Sequence, residues 1–385
     1  MAEPWLLSQR TTLGVGGAPR AVHPVRAEAE LGELAAACSP DEFRVLGGGS
    51  NLVVADEGVP HRVLDLQLRG VEFRAASGSL VEVVAAAGES WDALVRLSCE
   101  RGLMGLENLS GIPGRVGGAP LQNVGAYGRE VADHLAWVEA FDLVEQRLVR
   151  LTASECELGY RTSRFKHREA GRWVVLRVAF LLDAEGAPDL RYAELARAVT
   201  ALSTTDAATS STMSSAAESV GVTTTGAQRW ATPSQIREVV LELRRGKSML
   251  GPELLGEGDE NRRSCGSFFT NPVVSAEAAL ELTEVAARRG LSPVSFPDGN
   301  HRVKLAAGWL IEQAGLPRGT REGRVGLSSR HALALVAHAG ATAADVVRFA
   351  WRVRRQVEDA WGVTLVPEPV FWGFSELDQG LPVLA

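Results

Sequence analysis

The strongest constraint on the fold is a long, glycine-rich and almost uncharged stretch, "GLENLSGIPGRVGGAPLQNVGAYG", at residues 105–128. A surface loop of this length normally carries more charge, so this one is expected to lie against another surface. Its small residues can pack flat on a planar ligand, while Asn123 and Tyr127 hydrogen-bond the ligand edge. A buried Ω-type crossover is the alternative. The residues expected to form the flat wall are Ile112, Pro113, Gly114, Gly117, Gly118, Gly125 and Ala126.

A second glycine-rich segment, "VLGGGSNLVVAD" (45–56), lies between two strand-like runs. Backbone amides that carry no side chains can converge on a phosphate group, and the candidate residues are Gly47, Gly48, Gly49, Ser50 and Asn51. The segment is not a Rossmann fingerprint, because its third glycine is missing and no helical pattern follows. A tight hairpin is the competing interpretation.

The order of the remaining patterns predicts an α+β fold. Short strand-like runs fill residues 21–88, a helix capped by Ser90 follows, and residues 172–183 predict a long buried strand. Residues 198–228 are rich in Ser, Thr and Ala without apolar periodicity, which predicts a mobile insertion. Further helices are expected over 232–246, 275–289, 304–314 and 342–361, so a separate C-terminal domain begins near residue 241.

Composition excludes several classes of protein. The net charge of −7 argues against a nucleic-acid or membrane binder, since both need a cationic field. No run of about 18 apolar residues and no signal peptide occur, so we expect a cytoplasmic protein. The cysteines lack the spacing of a metal cluster or disulfide framework, and Cys38, Cys99 and Cys156 are expected to be core residues. Cys265 is left open because it lies beside a candidate site.

Tyrosine and lysine are rare, with three of each in 385 residues, and "GYRTSRFKH" (159–167) contains one tyrosine and one lysine. In an arginine-rich chain, a surviving lysine or tyrosine is expected where arginine or phenylalanine cannot supply the chemistry. These residues are Tyr127, Tyr160, Tyr192, Lys166, Lys247 and Lys304. For Lys166 and Lys304, a structural salt bridge is as strong an interpretation as contact with a ligand.

Two further residues are candidates for chemistry. Ser267 in "SCGSFFTNP" has no GxSxG elbow, so acyl transfer has little support, but its hydroxyl can protonate a strongly basic carbanion. Glu368 is the only charged residue between Asp359 and Glu376 and lies among prolines and apolar residues, where burial demands a partner. A backbone-bonded serine and a carboxylate at a strand end are the alternatives.

Together these stretches resemble the family of UDP-N-acetylenolpyruvoylglucosamine reductases, over nearly the whole chain. The resemblance rests on the order of "TTLGVGG", "GGGSN", "YRTSRFK", "KSM", "GSFFTNP", "VKLAAGWLIEQAG" and "LVPEPVFWG". It implies a two-part FAD-binding region of the vanillyl-alcohol-oxidase (PCMH) type, followed by a C-terminal α/β substrate-binding domain. The implied boundaries are 1–70 and 71–240 for the two FAD-binding parts, 241–373 for the substrate domain and 374–385 for a tail.

The resemblance also implies the site. The "GGGSN" segment is expected to cradle the FAD pyrophosphate, and residues 111–127 to line the isoalloxazine ring and ribityl chain. Arg161, Ser267 and Glu368 match the three active-site positions of the family. Tyr160, Tyr192, Lys247, Asn271 and His331 are expected at the UDP-sugar substrate. Departures from the family pattern are the long insertion, Val366 and Cys265, which leave loop closure open.

The implied reaction is NADPH-dependent, FAD-mediated reduction of an enolpyruvyl ether in peptidoglycan synthesis, by a protein expected to be a monomer. Arg161 clamps the substrate carboxylate and Glu368 hydrogen-bonds it as charge accumulates. Hydride from reduced flavin N5 reaches the methylene carbon, and Ser267 protonates the neighbouring carbon. The alternatives are an FAD-linked alcohol oxidase of the same superfamily, and a catalytically dead flavin or nucleotide sensor.

Overall fold

A small parallel sheet begins the fold in the computed structural model, which describes residues 5–201, 231–299 and 301–374. Its strands, in spatial order, are β1 (Pro19–Val25), β4 (Val59–Leu66) and β2 (Phe43–Leu46). Helix α1 (Ala29–Ala37) connects β1 to β2. The short strand β3 (Leu52–Val54) pairs in parallel with β19 (Val370–Trp372), so the C-terminal part of the chain returns to the N-terminal region.

A five-stranded antiparallel sheet forms the second part. In spatial order its strands are β10 (Arg147–Thr152), β9 (Leu135–Asp142), β11 (Trp173–Asp183), β6 (Leu80–Ala86) and β5 (Val71–Ala75). Strand β11 is buried along most of its length, as predicted. Helix α2 (Trp91–Glu100) packs on it through an edge-to-face contact between Trp91 and Phe180 at 5.8 Å, and the predicted Ser90 cap accepts a hydrogen bond from the N–H of Ala93.

Two more helices complete this part and support the glycine-rich wall. Helix α3 covers residues 193–201 and helix α4 covers Pro233–Gly246, which begins with a capping box formed by Thr232 and Gln235. The carboxylate of Asp92 on α2 accepts hydrogen bonds from both terminal nitrogens of Arg237 on α4, at 2.6 and 2.7 Å. It also accepts the N–H of Gly111 at 2.6 Å. One buried ion pair therefore holds α2, α4 and the start of the wall together.

Replacing Asp92 with Asn should lower the free energy of unfolding by about 3–5 kcal/mol, because the guanidinium of Arg237 stays buried without its counter-ion. Burial raises the pKa of Asp92, but the hydrogen bonds from Arg237 and Gly111, together with nearby arginine charge, bring it below its ordinary value of 3.8. This contribution is therefore present above that value and is lost as the pH falls through the lower, folded pKa. Urea unfolding at neutral and acidic pH checks both statements.

A suitable control for this experiment is Glu100→Gln on the same helix. Glu100 is half exposed and pairs with Arg96 at the surface, so its loss should change the free energy of unfolding by less than about 1 kcal/mol. An Asp92→Asn effect no larger than this control, or one that grows towards acid, would contradict the proposed clamp.

The C-terminal part combines two sheets with four helices. One sheet has the order β12 (Ser264–Ser267), β18 (Ala334–Ala337), β17 (Val325–Leu327) and β16 (Arg321–Glu322). The other has the order β13 (Val273–Ser275), β15 (Arg302–Leu305) and β14 (Ser295–Pro297). The helices are α5 (Pro252–Leu255), α6 (Ala276–Arg288), α7 (Ala307–Gln313) and α8 (Ala343–Trp361). Their core includes Leu13, Val15 and Val53, so it is shared with the N-terminal region.

One helix prediction is wrong at its start. Residues 304–314 were expected to be helical, but Lys304 lies in β15, where it pairs with Val273. Helix α7 begins only at Ala307, whose N–H donates to the side-chain oxygen of Asn271 at 2.9 Å. Because this cap comes from a distant residue, no local pattern marks the start of the helix.

The structure describes only part of the predicted insertion and tail. Residues 198–201 belong to α3, and residues 202–228 of the predicted insertion lie outside the described residues, as do residues 375–385 of the predicted tail. Among the described helices, none is long and apolar enough to cross a membrane.

All four cysteines are free. Cys99 and Cys156 are buried as predicted, whereas Cys38, at the end of α1, is only half-buried.

Candidate active site

A cavity of about 790 Å³ brings the two glycine-rich segments together with residues from the C-terminal part. The predicted residues that line it are Gly47, Gly48, Gly49, Ser50, Asn51, Ile112, Pro113, Gly114, Gly125, Ala126, Tyr127, Arg161, Tyr192, Lys247, Ser267, His331 and Glu368. Residues separated by more than 300 positions in sequence therefore face one space. Its size lies within the range of about 300–1,000 Å³ that is typical of ligand sites.

The two glycine-rich segments meet at Gly48 and Gly114. A Cβ atom on Gly48 would lie 2.6 Å from the Cα of Gly114, and one on Gly114 would lie 2.9 Å from the Oγ of Ser50. Within the described part of the chain, the backbone N–H groups from Gly47 to Ser50 donate to no protein acceptor. Close-packed backbone with free donors is suited to an anionic group such as a diphosphate. These residues therefore fit the expected cofactor.

Two residues predicted to contact the cofactor do not line the cavity. Gly117 packs on the neighbouring sheet, where an added Cβ would lie 2.6 Å from the Cβ of Ala87. Asn123 is fully buried, and its amide nitrogen donates to Glu130 and to the carbonyl of Gly159. The structure therefore does not bring either residue to the cavity lining, and their contacts fix the backbone of the wall instead.

Arg161 is held at the cavity edge by a tight turn. Gly159 and Thr162 bridge the turn, and Arg161 adopts the left-handed backbone region with φ of +56°. Its Nη2 donates to the carbonyl of Gly125 at 2.8 Å. Its Nε lies 3.2 Å from a carboxylate oxygen of Glu368, although the N–H is not aligned for a hydrogen bond. The ring of Tyr160 lies 5.6 Å from the guanidinium.

Backbone hydrogen bonds fix Ser267 and Glu368 relative to each other. Ser267 ends β12, and the next residue, Phe268, accepts a hydrogen bond from the N–H of Glu368 at 2.9 Å. The carbonyl of Glu368 in turn accepts from the side chain of Asn51 at 3.2 Å. The carboxylate of Glu368 is 11% exposed. An arginine, a carboxylate and a hydroxyl thus border the same cavity on three separate segments.

Residues expected at the nucleotide sugar form a cluster with Tyr127, which is expected at the cofactor. The rings of Tyr127 and Tyr192 pack edge to face at 5.4 Å, and the Lys247 Nζ lies 5.5 Å from the Tyr127 ring. Lys247 also forms an ion pair of 2.6 Å with Glu194. Burial, with the charge of Lys247 next, lowers the pKa of His331 to about 4, so its imidazole is neutral at neutral pH.

Tyr160 and Asn271 line a neighbouring groove of about 860 Å³ instead of the cavity bordered by the glycine-rich segments. The N–H of Asn271 donates to the hydroxyl of Tyr160 at 3.4 Å, and Lys304 lies 4.5 Å from the Tyr160 ring. Arg161 and Lys166 border both spaces. The structure therefore does not bring Tyr160 and Asn271 together with the other predicted substrate residues.

Lys166 was expected to contact a ligand or to form a structural salt bridge, and the structure shows it bonded to backbone carbonyls. Its ammonium group donates to the backbone carbonyls of Glu368 at 3.4 Å and Arg161 at 3.5 Å. Burial lowers its pKa, against the raising effect of Glu368. Lys166 therefore braces the two segments that carry the arginine and the carboxylate. Cys265 is buried beside the cavity, and burial raises its pKa to about 12, so its thiol stays protonated.

Arg244 is a cavity residue that the sequence reasoning missed. It lies on the buried face of α4, where burial lowers its pKa to about 10. Among the described residues, no acceptor hydrogen-bonds its Nε. A signal existed, because Arg244 follows Val240 by four positions and so lies on the apolar face of the helix. A buried cation there is suited to an anionic or carbonyl-bearing ligand.

Comparison with known proteins gives a consistent result over the whole chain. Residues 19–152 match the model of an FAD binding domain, and residues 259–372 match that of the UDP-N-acetylenolpyruvoylglucosamine reductase C-terminal domain. The chain is 41% identical to UDP-N-acetylenolpyruvoylglucosamine reductase of Thermobifida fusca over 96% of this chain and 97% of that protein. It is 42% identical to the reductase of Saccharopolyspora erythraea over 94% and 93%, respectively.

A solved structure shares the fold. The UDP-N-acetylenolpyruvylglucosamine reductase of Thermus caldophilus superposes with a TM-score of 0.60 at 26% identity, covering 96% of this chain and 97% of that one. The predicted fold class, an α+β chain with an FAD-binding region followed by a C-terminal domain, is confirmed.

Proposed function

The chain belongs to the UDP-N-acetylenolpyruvoylglucosamine reductase family of FAD-dependent oxidoreductases, and we propose that Arg161, Ser267 and Glu368 are its catalytic residues. The reaction is the NADPH-dependent reduction of the enolpyruvyl ether of a UDP-sugar to UDP-N-acetylmuramate in peptidoglycan synthesis. The observation that carries the proposal is that these three residues border the same cavity as the two glycine-rich segments. The alcohol-oxidase alternative gives no reason for this combination.

Arg161 and Glu368 make the substrate reducible. An enolpyruvyl ether is electron-rich and resists hydride unless its carboxylate accepts charge. The guanidinium of Arg161, held by Gly125 and beside Glu368, can clamp that carboxylate through its terminal nitrogens. The side chain of Glu368, beside Arg161, can hydrogen-bond a carboxylate oxygen of the substrate as negative charge accumulates there. One such hydrogen bond is worth roughly 3 kcal/mol, which is about a hundredfold in rate.

Ser267 completes the reduction. Bound FAD would supply the hydride, taken from NADPH, that the methylene carbon of the substrate receives. The neighbouring carbon then carries a strongly basic electron pair, and the hydroxyl of Ser267 transfers its proton to that carbon. Because Ser267 is fixed at the end of a strand, the proton arrives from one side and sets the configuration of the new centre.

The other parts of the chain receive matching assignments. We assign residues 1–70 and 71–240 to FAD binding and residues 241–373 to the substrate. The free amides of the "GGGSN" segment fit the diphosphate, and Ile112 to Gly114 with Gly125 to Tyr127 fit the flavin ring. Tyr192, Lys247 and His331 face the nucleotide sugar, and Tyr160 and Asn271 extend its site through the neighbouring groove. We further propose a cytoplasmic monomer.

Replacing Gly48 with valine should weaken FAD binding about ten- to hundredfold. The new side chain would displace the backbone of Gly114, at a cost of about 1–3 kcal/mol. Flavin absorbance per protein after purification, and FAD titration of the apoprotein, measure the effect, while far-UV circular dichroism reports folding. Gly32→Ala on α1, where an added Cβ meets nothing within 4 Å, is the control. A folded Gly48→Val protein with normal FAD affinity would contradict the cradle.

An anaerobic titration tests the function itself. NADPH should bleach the flavin absorbance of the purified protein, and enolpyruvyl-UDP-N-acetylglucosamine should restore it. If simple alcohols reduce the flavin and the UDP-sugar does not reoxidise it, the chain is an alcohol oxidase. If NADPH leaves the absorbance unchanged, the protein is the catalytically dead sensor.

A further inference from the structure

Lys247 already has an anionic partner within the protein. It caps the C-terminus of α4, and its ammonium group lies 2.6 Å from a carboxylate oxygen of Glu194 on α3. Both side chains are about one-third exposed, at 30% and 34%, so a ligand can reach them. The pair also links α3 to the end of α4. Glu194 follows Tyr192 by two residues in the chain.

The surroundings of this pair are cationic. Burial lowers the pKa of His331, the positive charges of Lys247, Arg244 and Arg318 lower it further, and Glu194 raises it. Lys247, Arg244 and His331 line the main cavity. Because His331 is neutral at neutral pH, Lys247 and Arg244 are the positive charges of this group that line the cavity, and Glu194 pairs with Lys247 from outside the lining. The region is therefore an anion subsite that is partly neutralised from within.

We propose that Glu194 competes with the diphosphate of the substrate for Lys247 and thereby lowers the affinity for anionic nucleotides. This inference rests on the proposed function, which supplies the UDP-sugar. A diphosphate approaching Lys247 must either displace the carboxylate or remain beside it, and both cost binding free energy through lost attraction or like-charge repulsion. Removing the charge of Glu194 should therefore strengthen the binding of UDP-sugars.

The test is calorimetric titration of the oxidised, FAD-loaded enzyme with UDP-N-acetylglucosamine and, separately, with uncharged uridine. Glu194→Gln should bind UDP-N-acetylglucosamine about tenfold more tightly than wild type, within the usual range of coupling between sites. Its affinity for uridine should be unchanged. The control is Glu242→Gln, an exposed glutamate on α4 with no ion pair among the described residues. In a Lys247→Met background, Glu194→Gln should lose most of its effect.

The outcomes separate the inference from the proposed function. If wild type binds UDP-N-acetylglucosamine and Glu194→Gln binds it equally or more weakly, Glu194 orients Lys247 or has no role, and the inference is wrong while the function stands. Equal strengthening for uridine would also overturn it, since charge would not be the cause. If the flavin-loaded wild type binds no UDP-N-acetylglucosamine, the proposed substrate is wrong and the inference falls with it.

Discussion

Replacing Ser267 with alanine should leave flavin reduction by NADPH close to the wild-type rate and slow reoxidation by the enolpyruvyl substrate about 100- to 10,000-fold. The two half-reactions differ because only the second one protonates carbon. Ser267 ends β12, where backbone pairing with Ala334 fixes the strand without using the hydroxyl. The alanine variant should therefore fold and bind FAD normally. Anaerobic stopped-flow absorbance measures each half-reaction separately.

Ser267→Thr provides the matched comparison for this experiment. Threonine keeps a hydroxyl on the same carbon and suits a strand, so it should recover part of the lost reoxidation rate. Equal slowing of both half-reactions in Ser267→Ala would indicate a general disturbance of the cavity. Normal reoxidation in the alanine variant would show that another group delivers the proton.

Replacing Arg161 with lysine should lower kcat/KM for the enolpyruvyl substrate by about a hundredfold or more. Lysine keeps the positive charge but lacks the planar pair of donors that holds a carboxylate at two points. Arg161 meets Glu368 through Nε and Gly125 through Nη2, and a lysine ammonium cannot occupy both positions. The loss should appear mainly in reoxidation of the reduced enzyme, measured by steady-state and stopped-flow kinetics at known flavin content.

Arg168→Lys is the control for this substitution. Arg168 lies seven residues further along the chain and is 62% exposed, where it pairs with Glu157. Exchange of this surface charge should leave kcat/KM unchanged within about twofold, since exposed pairs contribute little. Wild-type kinetics in Arg161→Lys would show that only the charge matters and would remove the argument for a two-point clamp.

The elements that sequence predicts well are those whose signals are local. The helices expected over 232–246 and 342–361 are found as α4 and α8, and in the structure a capping box lies directly before each of them, at Thr232 and Thr342. Alternating or continuous apolar runs likewise predict β6 and β11. The start of α7 is not predicted correctly, because the side chain that caps it, Asn271, lies 36 positions away in sequence. Pairing of β19 with β3 has no local signature either, since it joins segments more than 300 positions apart.

The same distinction between local signals and tertiary packing applies to the residues of the site. Glycines without charge between strands predict a ligand wall, and most of those residues border the cavity. Gly117 and Asn123 have the same composition around them, yet they serve the backbone of the wall. Composition cannot distinguish a glycine that faces a ligand from one that packs on Ala87. Arg244 and Glu194 depend on which face of a helix meets which neighbour, and that is set by tertiary packing.

The central claim is that Arg161, Glu368 and Ser267 act together at the reactive edge of one flavin ring. A crystal structure of the FAD-bound enzyme with its UDP-sugar tests this claim most directly. We expect the ring between the glycine-rich wall and β12, with the enolpyruvyl carboxylate contacting Arg161 and Glu368 and the hydroxyl of Ser267 within about 3–4 Å of the carbon that it protonates. A flavin ring bound elsewhere, or one that leaves these three side chains facing separate spaces, would contradict the account.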